Sequence, residues 1–497
     1  MAFSTLTFIC IFLPVMLAGY YILPKKVRNL WLVFGSLFFY GWNDPKYLPI
    51  LAVSILLNYG AGILIAREPK SSIKEAAEGA GHKTPSGKII LIVTVILNIA
   101  ALIYFKYTYM LIETFTGIEE GSEELISIIL PLGISFYTFQ AISYIVDVYR
   151  MEGTIDENGN RVSIVEKNLI DYALYITMFP QLLQGPIERY SKMKPAIKNP
   201  ELSLSKFSDG IERFIVGLAK KVILADTLGQ VADSIFECDP SMMATSVAWL
   251  GAILYTLQIY YDFSGYTDMA IGLGKLFGFE FSENFNYPYI SRSVTEFWRR
   301  WHITLSGWFR DYLYIPLGGN RTGNVYVNLL IVFLATGIWH GAAWGFLVWG
   351  LWHGIFMLIE RALKKKSFKH HMPEPVKWLY TMLVVTLGWV LFKIEDIEAA
   401  LGYFATMFHT STHTYNAFSV GYYTDNKLIF ILILSLIAMI PWAQLLPRYV
   451  SAHIAKFNDT KEGWVCIVRR VILLLLLVTS MMFIVNSTYS PFIYFKF

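Results

Sequence analysis

The sequence predicts an all-α integral membrane protein, built as a helix bundle that crosses the bilayer many times. Hydrophobic residues make up 55% of its 497 positions and charged residues only 16%, whereas a soluble globular chain averages about 25% charged residues. Apolar runs of about 20 residues, the length that a helix needs to span a bilayer, recur along the whole chain. We therefore expect a single domain over residues 1–497 with about eleven to thirteen spans, some of them re-entrant.

The charge and cysteine content argue against several other classes of protein. The net charge of +4, from 41 basic and 37 acidic residues, is too small to indicate a nucleic-acid partner. The cysteines, Cys10, Cys238 and Cys466, are too scattered to form a metal-binding motif. Basic residues at 25–28 follow the first apolar run instead of preceding it. That run is therefore not a cleavable signal peptide, and the N-terminus is expected outside the cytoplasm.

The candidate spans fall into three groups along the chain. Residues 1–124 hold the N-terminal spans, residues 131–360 the core motifs, and residues 376–497 the C-terminal spans with an aromatic tail. The predicted spans are 3–23, 29–42, 47–66, 88–110, 125–147, 167–185, 211–236, 245–275, 325–340, 342–362, 376–393, 428–446 and 465–487.

The charges of the connecting loops give these spans an orientation. Residues 67–88 and 361–371 are rich in lysine and arginine, which predicts that both loops are cytoplasmic. Residues 113–124 are acidic and residues 394–427 carry little basic charge, so both are expected outside. This orientation places the C-terminus outside the cytoplasm.

One predicted span, 245–275, carries acids and other polar groups at membrane depth. Its segment QIYYDFSGYTDMAIG includes Asp262, Ser264 and Asp268. Acids inside a membrane need partners or water. The segment therefore predicts either a polar cavity lined by Asp262 and Ser264 or a structural network of paired charges.

The following segment, TEFWRRWHITLSGWFRDYLYIPLGG at 295–319, has the pattern of a continuous amphipathic helix. One face would carry Phe297, Trp301, Leu305, Trp308 and Tyr312, and the opposite face Arg299, His302, Ser306 and Arg310. Such a helix could lie in the membrane interface. Alternatively, it could be re-entrant and line a cavity with its polar face, which would bring His302 towards His340.

Two histidines lie in a long apolar segment that lacks cationic side chains. From Val325 to Glu360 there is no Lys, Arg or Asp, and the interior titratable groups are His340 and His353. A buried titratable group in apolar sequence indicates chemistry or a polar pathway, and imidazole exchanges protons near neutral pH. Trp339 and Trp344 would wall the site. The alternative is that both imidazoles are hydrogen-bonded structural groups.

Acid–base chemistry is what these residue types favour. The sequence has no nucleophile elbow, phosphate-binding loop or dinucleotide fingerprint. The histidines lack zinc-site spacing, so no metal is predicted. A buried histidine could instead deprotonate a hydroxyl that attacks an activated acyl carbon. His302, Arg299 or backbone amides near the glycines around His340 could stabilise the oxyanion.

Long motifs resemble one known family. YDFSGYTDMAIGLGKLFGFEFSENFNYPYISRSVTEFWRRWHITLSGWFRDYLYIPLGGNR (261–321) and GIWHGAAWGFLVWGLWHG (337–354) resemble the membrane-bound O-acyltransferase family, as do PLGISFYTFQAISYIVDVYR (131–150) and FPQLLQGPIERY (179–190). The similarity is greatest to the bacterial subgroup typified by alginate O-acetyltransferase. The resemblance implies a polar tunnel through the bundle, with the family's near-invariant histidine at His340 and its second polar position at His302.

The tail SPFIYFKF (490–497) resembles an aromatic terminal motif of cell-surface acylation systems. In that motif a tyrosine relays the acyl group, and the position falls on Tyr494. Lys496 departs from the motif, which has glutamine or an acid there, and this puts partner docking in doubt. The alternative is an aromatic anchor at the membrane interface.

The resemblance implies a multi-pass acyltransferase of the bacterial plasma membrane that moves acetyl groups onto an extracellular polysaccharide. The donor would be cytoplasmic acetyl-CoA, with no cofactor. Expected partners are an extracytoplasmic acetyltransferase, the polysaccharide and membrane lipids. His340 would be the base, His302 would orient the acyl group or polarise its carbonyl, and Tyr494 would relay it. The predicted lining residues are Trp301, Trp339, Trp344, Arg299, Asp262, Ser264 and His353.

Two alternative functions stay open at this point. One is D-alanyl transfer to teichoic acid by the same fold, with a carrier-protein thioester as donor. The other is a non-catalytic component for export of polysaccharide or lipid, which would favour inverted repeats, and none is visible in the sequence.

Overall fold

The computed structural model describes residues 1–42, 45–67, 85–116, 130–151, 163–365, 372–408, 418–442, 464–486 and 489. Within these residues the regular secondary structure is helical, apart from an isolated β-bridge between Met243 and Phe418. The predicted all-α class is confirmed.

The α-helices have the following bounds in chain order. They are α1 (Leu13–Ile22), α2 (Lys25–Gly41), α3 (Leu48–Arg67), α4 (Pro85–Thr116), α5 (Ile134–Met151), α6 (Leu169–Thr177), α7 (Phe179–Leu182), α8 (Tyr190–Lys198), α9 (Leu204–Ala219), α10 (Asp226–Phe236), α11 (Thr245–Leu276), α12 (Val294–Arg300), α13 (Ile303–Phe309), α14 (Val325–His340), α15 (Trp344–Lys365), α16 (Glu374–Lys393), α17 (Ile397–Met407), α18 (Val420–Tyr423), α19 (Asn426–Ala438) and α20 (Trp464–Asn486). Short π-helices occupy Phe8–Phe12, Lys220–Ala225 and Arg310–Tyr314, and 3-10 turns Pro45–Tyr47, Pro240–Met242 and Pro288–Ile290.

Several helices have the length and composition of membrane spans. In the described part of the chain, five are long and apolar enough to cross a bilayer: Pro45–Arg67, Pro85–Thr116, Trp344–Leu363, Glu374–Lys393 and Cys466–Asn486. Phe8–Ile22, Val325–His340 and Asn426–Ala438 are shorter apolar helices. α4 and α20 expose most of their apolar side chains, as helices in contact with lipid do. The chain is therefore a multi-pass membrane protein.

α11 reaches membrane-spanning length without being one of the most apolar helices. From Leu254 onwards nearly all its side chains are buried, including Gln258, Asp262 and Asp268. Because protein surrounds this helix, its polar groups find partners in neighbouring helices and need no apolar face towards lipid.

Two predicted segments are broken in the structure. Within the span predicted at 167–185, the first helix ends at Thr177, because the backbone of Met178 leaves the helical region with ψ at 112°. A second short helix, with Pro180 in its first turn, follows. The prediction of one continuous helix over 295–319 is wrong. α12 ends at Arg300, and α13 begins only after His302, whose φ is 45°.

The chain forms two compact units, each of which is assembled from segments that are not contiguous in the sequence. The first unit comprises Met1–Gly210, Ala270–Ser282 and Arg310–Tyr312, and the second comprises Ile211–Met269, Glu283–Phe309 and Leu313–Phe497. The prediction of a single domain stays a prediction. The second unit contains the predicted site residues that the structure describes, and its core is rich in buried tryptophan: Trp298, Trp301, Trp349 and Trp389.

Candidate functional site

His340 is the last residue of α14 and is enclosed by aromatic rings. It is 2% exposed, and its ring centroid lies 5.0 Å from Trp339, 4.9 Å from Trp349 and 5.3 Å from Phe392. These three rings, which we call the aromatic enclosure, come from α14, α15 and α16. The enclosure separates the imidazole from bulk water, so a bound hydroxyl would meet the base without competition from solvent.

Glycines allow the helices around His340 to approach one another closely. A Cβ atom on Gly337 would lie 2.4 Å from the carbonyl oxygen of Phe346, and one on Gly350 would lie 2.4 Å from the carbonyl oxygen of Phe333. In α14 and α15 these small residues therefore make room for a neighbouring backbone. Their packing fixes the end of α14, where His340 lies.

His302 lies in the break between α12 and α13, with its backbone in the left-handed region at φ 45°. That conformation costs a residue with a Cβ atom about 1–2 kcal/mol. Asn284 holds the break. Its backbone oxygen accepts from the Ile303 N–H at 3.0 Å, and its side-chain oxygen accepts from the Thr304 N–H at 3.2 Å and the Thr304 hydroxyl at 2.9 Å.

The imidazole of His302 is buried and approaches the aromatic enclosure of His340. It is 1% exposed, and its ring centroid lies 4.8 Å from Phe263 and 6.1 Å from Trp339. Trp339 therefore contacts both histidine rings. His302 and His340 therefore pack against the same indole, that of Trp339. This proximity is what the prediction of a re-entrant segment at 295–319 requires.

Two further predicted residues lie in the aromatic core beside the enclosure. Trp301 packs 4.7 Å from Trp389 between ring centroids. His353 is fully buried, with its ring 5.1 Å from Trp298 and 5.3 Å from Trp349. Neither ring nitrogen of His353 has a hydrogen-bond partner among the described residues. His353 thus shares Trp349 with His340.

The acids of α11 are held in ion pairs. Lys221 Nζ lies 2.7 Å from Asp262 and 2.6 Å from Asp226, and the three side chains are nearly inaccessible. Asp268 is paired similarly with Lys220 and Arg213, each at 2.6 Å. Of the two alternatives for this segment, the geometry therefore favours the network of paired charges.

Other predicted residues lie at the edge of this arrangement or outside it. Ser264 is buried, and its hydroxyl has no hydrogen-bond partner within the described ranges. Arg299 is exposed. Trp344, predicted to wall the site, is 50% exposed at the start of α15. Tyr494 lies outside the described residues.

Three contributors to the site were not predicted from the sequence. Asn284 holds His302, while Trp349 and Phe392 complete the aromatic enclosure. Lys221 was also not singled out, although a lysine inside the predicted span 211–236 is a signal for a buried partner. The roles of Asn284 and the two rings depend on tertiary contacts, and their local sequence carries no specific signal for them.

A polar junction at the end of α16 was not predicted either. Lys393 Nζ lies 2.5 Å from Asp233, and the Tyr489 hydroxyl donates a hydrogen bond to the same carboxylate. Gln258 Nε2 lies 3.5 Å from the Tyr489 hydroxyl. Lys393 directly follows Phe392, so this junction and the aromatic enclosure share one helix end.

Comparison with known proteins identifies the family. A model of the membrane-bound O-acyltransferase family matches residues 115–393. The chain is 39% identical to a probable alginate O-acetylase of Pseudomonas putida over 510 residues, covering 100% of both chains. It is also 39% identical to a peptidoglycan O-acetyltransferase of Helicobacter pylori over 425 residues, covering 80% of this chain and 78% of the relative.

A more distant relative has a different named activity. The chain is 28% identical to a teichoic acid D-alanyltransferase of Bacillus subtilis over 282 residues, which cover 52% of this chain and 67% of the relative. Because the family model matches more than half of the chain and the similarity to the alginate O-acetylase covers its whole length, the chain belongs to the membrane-bound O-acyltransferase family.

Proposed function

We propose that this protein is a membrane O-acetyltransferase that carries acetyl groups from cytoplasmic acetyl-CoA to hydroxyl groups of an extracellular polysaccharide. The enclosed His340 at the end of α14, which shares Trp339 with His302, is the observation that carries the proposal. Support also comes from the full-length relative named an alginate O-acetylase and from the relative named a peptidoglycan O-acetyltransferase. The membrane concerned is the bacterial plasma membrane.

His340 acts as the general base in this proposal. It takes the proton of the attacking hydroxyl while the oxygen forms a bond to the thioester carbonyl carbon. The carbon–sulfur bond then breaks, and the departing thiolate takes the proton from His340, which restores the neutral imidazole. A base in this position contributes about 10²–10⁴-fold to the rate. His302 lies close enough to the same indole to orient the reacting groups.

The attacking hydroxyl belongs either to Tyr494, as a covalent relay, or directly to the acceptor. In the relay, the acetyl ester of Tyr494 passes its acyl group to a separate extracytoplasmic acetyltransferase or polysaccharide-modifying protein. The external orientation predicted for the C-terminus supports such a hand-over.

D-alanyl transfer to teichoic acid is the second candidate. It is favoured by the similarity to the D-alanyltransferase of Bacillus subtilis. Acetyl transfer has the stronger support, because the similarity to the alginate O-acetylase is higher and extends over the whole chain. An export component without covalent chemistry would use the same helix bundle and release no thiol from a thioester.

The test is turnover of isotopically labelled acetyl-CoA by the purified protein, with His340→Gln and Tyr494→Phe as variants. We expect the wild type to release free thiol and His340→Gln to lose this activity by about 10²-fold or more. Mass spectrometry of the digested protein shows whether Tyr494 carries the label, and Tyr422→Phe is a control at an exposed phenol. Turnover that is unchanged in His340→Gln would contradict the assignment of the base.

A further inference from the structure

The hydrogen bonds of Asn284 determine which atom of its amide faces His302. One side-chain atom of Asn284 contacts the Thr304 N–H at 3.2 Å, the Thr304 hydroxyl at 2.9 Å and His302 Nδ1 at 3.1 Å. A backbone N–H can only donate, so the facing atom must be the carbonyl oxygen. Turning the amide over would place its NH₂ group against the Thr304 N–H.

This assignment also decides the protonation of the imidazole. Because Asn284 Oδ1 can only accept, His302 Nδ1 must carry the hydrogen of this bond. In a neutral imidazole the other ring nitrogen then holds a lone pair. Nε2 of His302 is therefore an acceptor, and only a second proton would turn it into a donor.

We propose that Asn284 is a positioning residue that fixes His302 in the Nδ1-protonated tautomer, so that Nε2 accepts a hydrogen bond from the hydroxyl group of the acyl acceptor. The role of that hydroxyl rests on the proposed function. A neutral His302 in this tautomer cannot polarise the acyl carbonyl through Nε2, because a carbonyl needs a donor. The roles expected for His302 were to orient the acyl group or to polarise its carbonyl, and the proposal replaces them with orientation of the attacking hydroxyl.

The ring of His302 packs against aromatic side chains of two helices. α11 presents Phe263 to it and α14 presents Trp339. The neighbouring titratable groups on these helices are engaged elsewhere: Asp262 pairs with Lys221, and His340 packs against Trp349. The backbone is held on both sides of His302, because Ile303 donates to Asn284 and the Asn286 N–H donates to the carbonyl oxygen of Arg300 at 2.9 Å.

The tautomer can be measured directly by nitrogen NMR of histidine-labelled protein in a bilayer, with His302→Gln to assign the signal. We expect the His302 ring of the wild type to carry its hydrogen on Nδ1. In Asn284→Ala the Nε2-protonated form should appear, because the acceptor is gone while the Ile303 hydrogen bond to the backbone of residue 284 remains. A wild-type ring protonated on Nε2 would overturn the proposal, whatever the activity of the sample.

A pH titration of the same nitrogen signals gives the second test. Asn284→Asp keeps an oxygen that can accept from Nδ1 and adds a negative charge beside it, which stabilises the imidazolium form. The neutral ring should then exist only at higher pH, so the pH at which the His302 signals change should move up by about one pH unit. Asn286→Asp adds the same charge at an exposed position and should leave this pH unchanged.

The outcomes separate this proposal from the proposed function. His302 signals that change at the same pH in Asn284→Asp and in the wild type would overturn the role of Asn284. We expect Asn284→Ala to lower kcat about tenfold with little change in the KM for acetyl-CoA, whereas Thr304→Val, which loses one hydrogen bond to the same oxygen, should change kcat less. A wild type that releases no thiol would contradict the proposed function and leave the tautomer measurement valid.

Discussion

Lys221 Nζ lies 2.7 Å from a carboxylate oxygen of Asp262, and both side chains are almost completely buried. Burying either charge alone would be costly, because several kcal/mol of hydration are lost. Asp226 joins the same ammonium group at 2.6 Å. These contacts explain how α11 can carry an acid at membrane depth.

The first prediction concerns this buried network. Lys221→Met leaves Asp262 and Asp226 without their common cation, so we expect a loss of about 3–5 kcal/mol of stability. The measurement is thermal unfolding in a fixed detergent. Arg469→Met removes the more exposed pair with Glu212 and should cost at most about 1 kcal/mol. Equal unfolding temperatures for the two variants would contradict the structural role of Lys221.

The second prediction concerns the close contact of α14 and α15. Gly337→Ala would place a methyl group 2.4 Å from the carbonyl oxygen of Phe346, so the helix ends must shift at a cost of about 1–3 kcal/mol. Acyl transfer should fall as well as stability, because His340 is the last residue of α14 and is displaced when the helix end shifts. Gly402→Ala meets no atom within 4 Å and should be neutral or slightly stabilising. Acyl transfer equal to wild type in Gly337→Ala would argue against this packing.

The third prediction concerns His353, the second histidine that contacts Trp349. His353 is fully buried, and its ring nitrogens have no hydrogen-bond partner in the described part of the chain. An apolar ring of similar shape should therefore replace it with little loss of stability, within about 1 kcal/mol. Unfolding of His353→Phe checks this. A loss of several kcal/mol would show that the imidazole makes a polar contact that the protein needs.

The fourth prediction concerns the junction at Tyr489. Tyr489→Phe removes a hydrogen bond to the carboxylate of Asp233, which costs about 1.5 kcal/mol. We also expect slower delivery of acetyl groups to the acceptor, because Tyr494 follows five residues later in the chain. Stability and delivery are measured together. Tyr403→Phe, which loses a bond to the backbone oxygen of Ala248, is the matched control. Delivery reduced equally in both variants would contradict a specific role for Tyr489.

The sequence predicted the helical class and the place of His340, because apolar composition and an isolated imidazole are visible without tertiary contacts. It also indicated that His302 would approach His340, although the continuous helix predicted around His302 is wrong. A hydrophobic period of 3.6 residues indicates which side chains of a helix face the core. Because α12 and α13 both have this period, the pattern does not show that the helix is interrupted between them. The break depends on Asn284, whose hydrogen bonds to residues 302–304 come from a different segment and leave no periodic signal.

Most of the predicted lining residues are buried, but their burial does not follow from composition alone. Trp339 contacts both imidazoles because it adjoins His340 on α14. Trp344, at the start of α15, is half exposed. Apolar sequence does not distinguish an indole in the core from one at the surface of a membrane protein.

The left-handed backbone at residue 302 restricts what evolution or engineering can place there. Asparagine adopts this conformation more readily than most residues with a Cβ atom. A single His302→Asn exchange would therefore keep the break between α12 and α13 while removing the imidazole.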